Sequence, residues 1–174
     1  TRTWKKEKYV TALSGGLTQV LSSKAIAQVD ASYTVNRGTL SDPYQIVRVI
    51  YNNAFTTYNT SVPDRRVRSA VGTRVNYKMT SSSSLQLGYR YYWDDWEIRS
   101  NTAHALVQRH FMEKSLTLGI GVRHYSQTRA YFFKPQYPAS EPFMTVDSKL
   151  NSCVSDEFQF KIEIQSSLLK SIPL

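Results

Sequence analysis

The residues of clearest chemical character in this 174-residue chain are basic side chains that share the polar parity of alternating polar–apolar runs. Successive side chains of a strand point to opposite faces, so residues of one parity share a face. A wall of such residues beside water attracts anions, although pairing with Asp30, Asp94, Glu157 or Glu163 would make it a salt-bridged wall instead. The basic residues of this parity are Arg68, Arg74, Lys78, Arg90 and Arg123.

Acidic and histidine side chains give no metal or cofactor site. Asp94 and Asp95 are neighbours on a strand and therefore face opposite ways, which favours a structural role at a rim or turn. His104 and His110 lie six residues apart, roughly 20 Å along a strand, too far to share one metal ion. We therefore expect no metal and no cofactor.

Ser126 and His124 form the one serine–histidine arrangement that a membrane lipase could use. Such an enzyme needs a third group, an acid or an amide, to orient the histidine, and the surrounding sequence offers none. A Gly-rich phosphate loop, zinc-ligand spacing and a nucleophile elbow are all absent from the sequence. The sequence thus predicts no catalytic residues and no enzyme.

Seven runs of alternating polar and apolar residues must position these side chains. They exceed the mean strand length of ~5–6 residues and mostly reach the ~9–11 residues that a tilted strand needs to cross a bilayer. No helix is predicted. The runs are residues 9–21, 25–36, 67–79, 85–94, 103–111, 116–127 and 158–165.

The connections alternate in length along the chain. Residues 22–24, 80–84 and 113–115 are short and polar, whereas the opposite ends are joined by residues 39–66, about 97–102, and 130–148. Short turns at one end and long external loops at the other are typical of a transmembrane β-barrel. Segment 39–66 contains Val47, Val49 and Phe55, so we expect it to extend strands beyond the membrane or to fold back into the mouth.

Composition excludes several classes of protein. Apolar residues make up only 41%, but aromatic residues make up 13% and β-branched residues are common, which argues against disorder. Cys153 is alone, which excludes a disulfide scaffold. The net charge of +9 suits nucleic acid, an anionic surface or an anion pathway. The basic residues are spread over many strands instead of forming one patch among exposed aromatics, which argues against nucleic acid.

Aromatic residues near the strand ends favour a membrane setting. Tyr and Trp concentrate at bilayer interfaces, and the polar faces lack the dense Lys and Glu of a soluble surface. The alternation predicts an all-β, antiparallel up-and-down transmembrane β-barrel, or a section of a larger one. Residues 1–174 would be one domain or a fragment of one. The candidate girdle comprises Tyr89, Tyr91, Trp93, Trp96, Tyr131 and Phe132.

Several segments resemble a family of unknown function predicted to form outer-membrane β-barrels in Gram-negative bacteria. They are GYRYYWDDW at 88–96, PDRR at 63–66, RHYSQ at 123–127 and LSDPY at 40–44. The resemblance covers residue 17 to about 163 and implies a fold and an outer-membrane location, but no activity. Family members are longer and are expected to end in an aromatic strand, whereas this chain ends Ser-Ile-Pro-Leu. Further strands or partner subunits would then complete an even-numbered barrel.

These features predict a passive pore or structural barrel with an Arg-lined polar lumen, in contact with the lipid bilayer and open to anionic solutes. The alternative is a soluble antiparallel β-domain that binds an anionic ligand or polymer. The basic group Arg65, Arg66 and Arg68 is suited to lipopolysaccharide phosphates, although anchoring to nearby acids is favoured. Arg90 and Arg123 occupy matching points of a 33-residue repeat, and we expect them at similar depth.

Overall fold

The computed structural model describes residues 7–51, 54–112 and 115–165, and this part of the chain is all-β and antiparallel. Seven long strands form one sheet in the order β1-β2-β5-β6-β7-β8-β9, and β3 and β4 form a separate hairpin. The strands are β1 (Lys8–Ser22), β2 (Ala25–Gly38), β3 (Ile46–Tyr51), β4 (Ala54–Asn59), β5 (Arg65–Lys78), β6 (Ser83–Asp94), β7 (Arg99–Phe111), β8 (Leu116–Gln127) and β9 (Cys153–Ile164). The described residues contain no helix that is long and apolar enough to span a membrane.

The seven long strands confirm the predicted antiparallel all-β fold, with corrections at their ends. Between β6 and β7 only residues 95–98 remain as a connection, because Asp94 accepts hydrogen bonds from the backbone N–H groups of Trp96 and Ile98 and closes a tight turn. Glu97 adopts a φ of 65° in this turn. β9 begins at Cys153, five residues before the predicted start. The terminal Ser-Ile-Pro-Leu lies outside the described residues.

β1 and β9 are the two edges of the sheet, and in the described residues they do not pair with each other. The sheet is therefore open in this structure. Each long strand pairs with the next long strand along the chain, and β2 pairs with β5 across the inserted β3–β4 hairpin.

Burial along the strands is inverted relative to a water-soluble sheet. On β8, Leu118, Ile120 and Val122 are exposed, whereas the polar-parity residues Thr117, Gly119 and Gly121 are buried. Ile120 is 63% exposed although its strand has a neighbour on either side. The polar face is thus the crowded side of the sheet, and the apolar face is the open side.

The buried apolar core lies in the loops. We call residues 39–64 and 128–152 together the cap. Val47 and Val49 of β3 pack with Tyr137 and Met144, and backbone hydrogen bonds join Ser61 to Met144 in both directions. A second cluster joins the cap to the sheet: Trp96, Ile98, Ala130, Phe132, Phe133 and Leu150, flanked by Tyr92. Tyr92 belongs to the polar face, so the cap covers the long-loop end of that face. Segment 39–66 contains the β3–β4 hairpin, and its residues Leu40 and Val62 pack against this second cluster.

Candidate functional site: a basic polar face beneath a loop cap

The strand register places the predicted basic residues on one face of the sheet. One cross-strand row runs Gln28, Arg74, Gly88, His104, Arg123 and Glu157, and the next row runs Asp30, Gly72, Arg90, Thr102 and Tyr125. Arg68 and Lys78 occupy the same parity of β5 towards its two ends. The face therefore alternates basic, acidic and amide side chains along rows that cross the sheet.

Two of these arginines have carboxylate partners on the polar face. Arg90 Nη1 lies 3.4 Å from Asp30 Oδ2, and Arg123 Nη1 lies 3.4 Å from Glu157 Oε2. All four side chains are about half exposed, a setting in which an ion pair adds little stability, about 0–1 kcal/mol. Among the residues that the structure describes, neither Arg74 nor Lys78 has a carboxylate within 4.0 Å. The face consequently keeps a surplus of positive charge.

Two glycines leave space on the polar face for larger side chains of the neighbouring strands. A Cβ at Gly88 would lie 2.0 Å from the ring of His104, and a Cβ at Gly72 would lie 2.8 Å from the Asp30 carboxylate. The missing side chains therefore provide the space into which His104 and Asp30 lean. Small residues in these rows leave room between the long arginine side chains.

Asp94 lies at the end of β6 next to the cap, and its carboxylate accepts several hydrogen bonds there. Its buried carboxylate accepts hydrogen bonds from Arg66 Nη2 at 2.6 Å and from the Tyr92 hydroxyl at 2.7 Å, besides the two turn N–H groups. The Arg66 guanidinium also lies 4.4 Å from the ring centroid of Trp96. Arg66 of the predicted basic group is therefore held by a neighbouring acid, Asp94.

A polar pocket of about 180 Å³ lies between the cap and the polar face. Within the described residues, three buried polar atoms have no hydrogen-bond partner: Gln45 Oε1, Thr60 Oγ1 and Arg68 Nε. All three residues line this pocket, together with Asn36, whose Oδ1 accepts from Arg68 Nη2 at 3.3 Å. The volume and the unpaired atoms suit ordered water or a small polar solute. Arg68 therefore lies beneath the cap and not on the open part of the wall.

The register corrects one expectation about depth. Arg123 is level with His104 and Gly88, whereas Arg90 is level with Tyr125. The two arginines lie two strands apart, as predicted, but in adjacent rows of the polar face, ~7 Å apart along the strand direction. The 33-residue repeat in the sequence therefore does not place Arg90 and Arg123 in the same cross-strand row.

The aromatic girdle divides into two groups. Tyr89, Tyr91 and Trp93 lie on the apolar face of β6, with the rings of Tyr91 and Trp93 stacked at 5.5 Å. Trp96 and Phe132 are each only 4% exposed because they pack in the cluster that joins the cap to the sheet, so neither ring lies on the surface of the described structure. Tyr131 is 49% exposed on the cap, where it packs edge-on against Phe132.

The apolar face carries one polar group that the sequence did not reveal. Asp156 of β9 lies directly opposite His124 of β8, and Asp156 Oδ1 is 2.7 Å from His124 Nδ1. Only the pairing of β8 with β9 brings these residues together, since they are 32 positions apart. In the described part of the chain, no group of three His, Cys, Asp or Glu side chains is arranged to hold a metal ion.

Comparison with known proteins gives one match. The family model described as "Protein of unknown function (DUF3570)" matches residues 1–160. The chain belongs to this family. The matched residues of this DUF3570 chain include β1 to β8 and most of β9. No curated protein and no solved structure matches the chain.

Proposed function

We propose that the seven long strands are a wall section of a β-barrel in the outer membrane of a Gram-negative bacterium, with the polar face inside and the apolar face against lipid. The inverted burial along β8 carries this proposal. Leu118, Ile120 and Val122 are exposed on an interior strand, and a contiguous exposed apolar face marks contact with a membrane or another apolar surface. Further strands, from the same protein or from partner subunits, would pair with β1 and β9, because unpaired backbone groups are not tolerated in hydrocarbon.

The function we propose is that of a passive pore or structural barrel whose basic lumen favours anionic solutes. Arg74 and Lys78 provide positive charge without a carboxylate neighbour in the described structure, and Arg90 and Arg123 add ion-paired guanidinium groups. The cap covers the long-loop end of the same face, so it would narrow the mouth of the lumen. Charged rings and constrictions of this kind set the selectivity of channels.

Insertion into membranes is the first test. Full-length protein should require detergent, float with liposomes after refolding, and migrate differently on gels before and after heating. A protein that is monomeric and soluble without detergent would instead support the alternative of a soluble β-domain that binds an anionic ligand or polymer.

Ion selectivity is the second test. In planar bilayers under a salt gradient, the double variant Arg90→Gln, Arg123→Gln should reduce anion preference, most clearly at low salt where charges are least screened. Arg109→Gln is the matched control, because Arg109 lies on the opposite parity of β7, across from Leu118. An unchanged reversal potential in the double variant would refute the charged pathway, and an absence of conductance in the parent would leave a plugged structural barrel.

A further inference from the structure

The apolar face carries Ser126, His124 and Asp156 at the β8–β9 junction. His124 Nδ1 lies 2.7 Å from Asp156 Oδ1, and Ser126 follows two positions later on the same face of β8. Same-face neighbours on a strand are ~7 Å apart between Cα atoms, a span that an imidazole and a serine side chain together can bridge. Asp156 supplies the orienting third group that the sequence around Ser126 and His124 lacks.

A fourth polar side chain lies across from Ser126 on the neighbouring strand. Asn101 of β7 is the cross-strand partner of Ser126. The Tyr89 hydroxyl donates to Asn101 Oδ1, which fixes the orientation of the amide. In the part of the chain that the structure describes, Asn101 Nδ2 has no hydrogen-bond acceptor, and amide donors of this kind stabilise the negative oxygen of a tetrahedral intermediate.

The depth of this cluster matches the level of lipid esters. Ser126 lies in the same cross-strand row as Tyr91, one row from Trp93. Tyr and Trp side chains sit at the headgroup level of a bilayer, where acyl chains are joined to the polar part of a lipid. The cluster also lies towards the long-loop end of β8.

An apolar groove of about 650 Å³ begins at this cluster. The small side chains of Ala103 and Ala105 form its floor, and Leu87, Val122 and Phe158 line it further from the rim. His124 and Asp156 also line the groove, at its end nearest the aromatic residues. The apolar part of this lining suits one hydrocarbon chain, whose carbonyl would lie past the end of the groove at Ser126, two positions after His124.

We propose that Ser126, His124, Asp156 and Asn101 form a site that hydrolyses a long-chain acyl ester of a membrane lipid; the proposal rests on the outward-facing apolar face proposed above. Ser126 Oγ attacks the ester carbonyl as its proton passes to His124 Nε2. The C–O bond to the alcohol then breaks, and the alcohol leaves with that proton. Water attacks the acyl-serine, His124 again takes and returns a proton, and the carboxylic acid departs. Asp156 is a positioning residue that holds the imidazole.

The experiment uses detergent-solubilised full-length protein, first shown to insert into liposomes. Its substrates are p-nitrophenyl palmitate, phosphatidylglycerol vesicles and lipopolysaccharide micelles, and the last two separate the glycerolipid source from the lipid A source of the ester. A fluorescent alkyl phosphonate reports covalent labelling of an activated serine. The control is Ser69→Ala, because Ser69 lies on the same face, paired with Trp93 at the aromatic level, but three strands away.

The parent and Ser69→Ala should hydrolyse palmitate ester and accept the phosphonate. Ser126→Ala should abolish labelling, and both Ser126→Ala and His124→Gln should lower hydrolysis at least 100-fold while inserting normally. Asp156→Leu should slow labelling, and Asp156→Asn, which keeps an acceptor for His124 Nδ1–H, should restore most of its rate. An inserted parent that neither labels nor hydrolyses any of the three esters, or labelling that survives in Ser126→Ala, overturns the site alone. A parent that fails to insert overturns the membrane proposal instead.

Discussion

Apolar side chains are buried in the cap but exposed on the sheet. In the cap, Val47 and Tyr137 are at most 1% exposed, whereas Ile120 and Phe160 of the sheet are 63% and 80% exposed. Phe160 lies on an edge strand, but Ile120 does not. The described structure thus buries apolar side chains in its loops, as a water-soluble domain does, and leaves those of its strands exposed. The proposed membrane position of the sheet would account for this difference.

The largest expected effect concerns the joint between the two regions. Asp94→Ala removes the partner of a mostly buried Arg66 and leaves two turn N–H groups unsatisfied. We expect a loss of about 3–5 kcal/mol in the free energy of unfolding, measured by denaturant titration in micelles. Asp95→Ala is the matched neighbour: Asp95 accepts one bond, from Val67 N, and its loss should cost about 1 kcal/mol. Equal costs would mean that the buried Asp94 carboxylate stabilises this end of the sheet no more than the single bond of Asp95 does.

A smaller effect distinguishes the two faces of the sheet. Ile120→Arg places a charge in the apolar band and should cost about 2–4 kcal/mol when the protein refolds into lipid vesicles. Gln159→Arg is its counterpart on the polar face of the adjoining β9 and should cost less. Similar costs at both sites would contradict the assignment of the faces, and a harmless Ile120→Arg in buffer without lipid would favour a soluble domain.

The smallest expected effect tests whether the cap has its own core. The Tyr137 hydroxyl donates to Phe132 O and accepts from Thr145 N at 3.0 Å. Tyr137→Phe removes these bonds and the longer ones, 3.3 Å each, that the hydroxyl makes with Lys134 N and Thr145 O, and it should destabilise the cap by about 1–3 kcal/mol. Hydrogen exchange should then rise in residues 45–58 while β6 stays protected. Uniformly fast exchange in residues 45–58 of the parent would show that the cap has no stable core.

The strands were predictable because their signal is local. Alternation in 67–79 and 116–127 assigns each side chain to a face without knowledge of any partner. The first residues of β9 were missed because Ser155, Asp156 and Glu157 place polar groups on both parities and so hide the alternation.

The core of the cap and the apolar-face cluster were less accessible to sequence reasoning. Trp96 and Phe132 have the composition of a girdle, and only their contacts across 36 residues show that they are buried together. Likewise, the partner of His124 depends on the register of β8 with β9. The signal that was available was weak: a serine and a histidine two apart on an apolar face, where polar groups are costly unless they are paired.

The cap is built from the two longest connections of the sheet, and this affects the order of folding. Most neighbouring strands are joined by turns of a few residues, so their hairpins close quickly, but β2 must find β5 across residues 39–64 and β8 must find β9 across residues 128–152. Each doubling of a loop adds about 0.6 kcal/mol of closure entropy. The two costly segments are the same two that bind each other, through Val49 with Tyr137 and Ser61 with Met144. We therefore expect the late steps of assembly to be coupled, so that weakening either contact slows the docking of β2 on β5 and of β9 on β8 together.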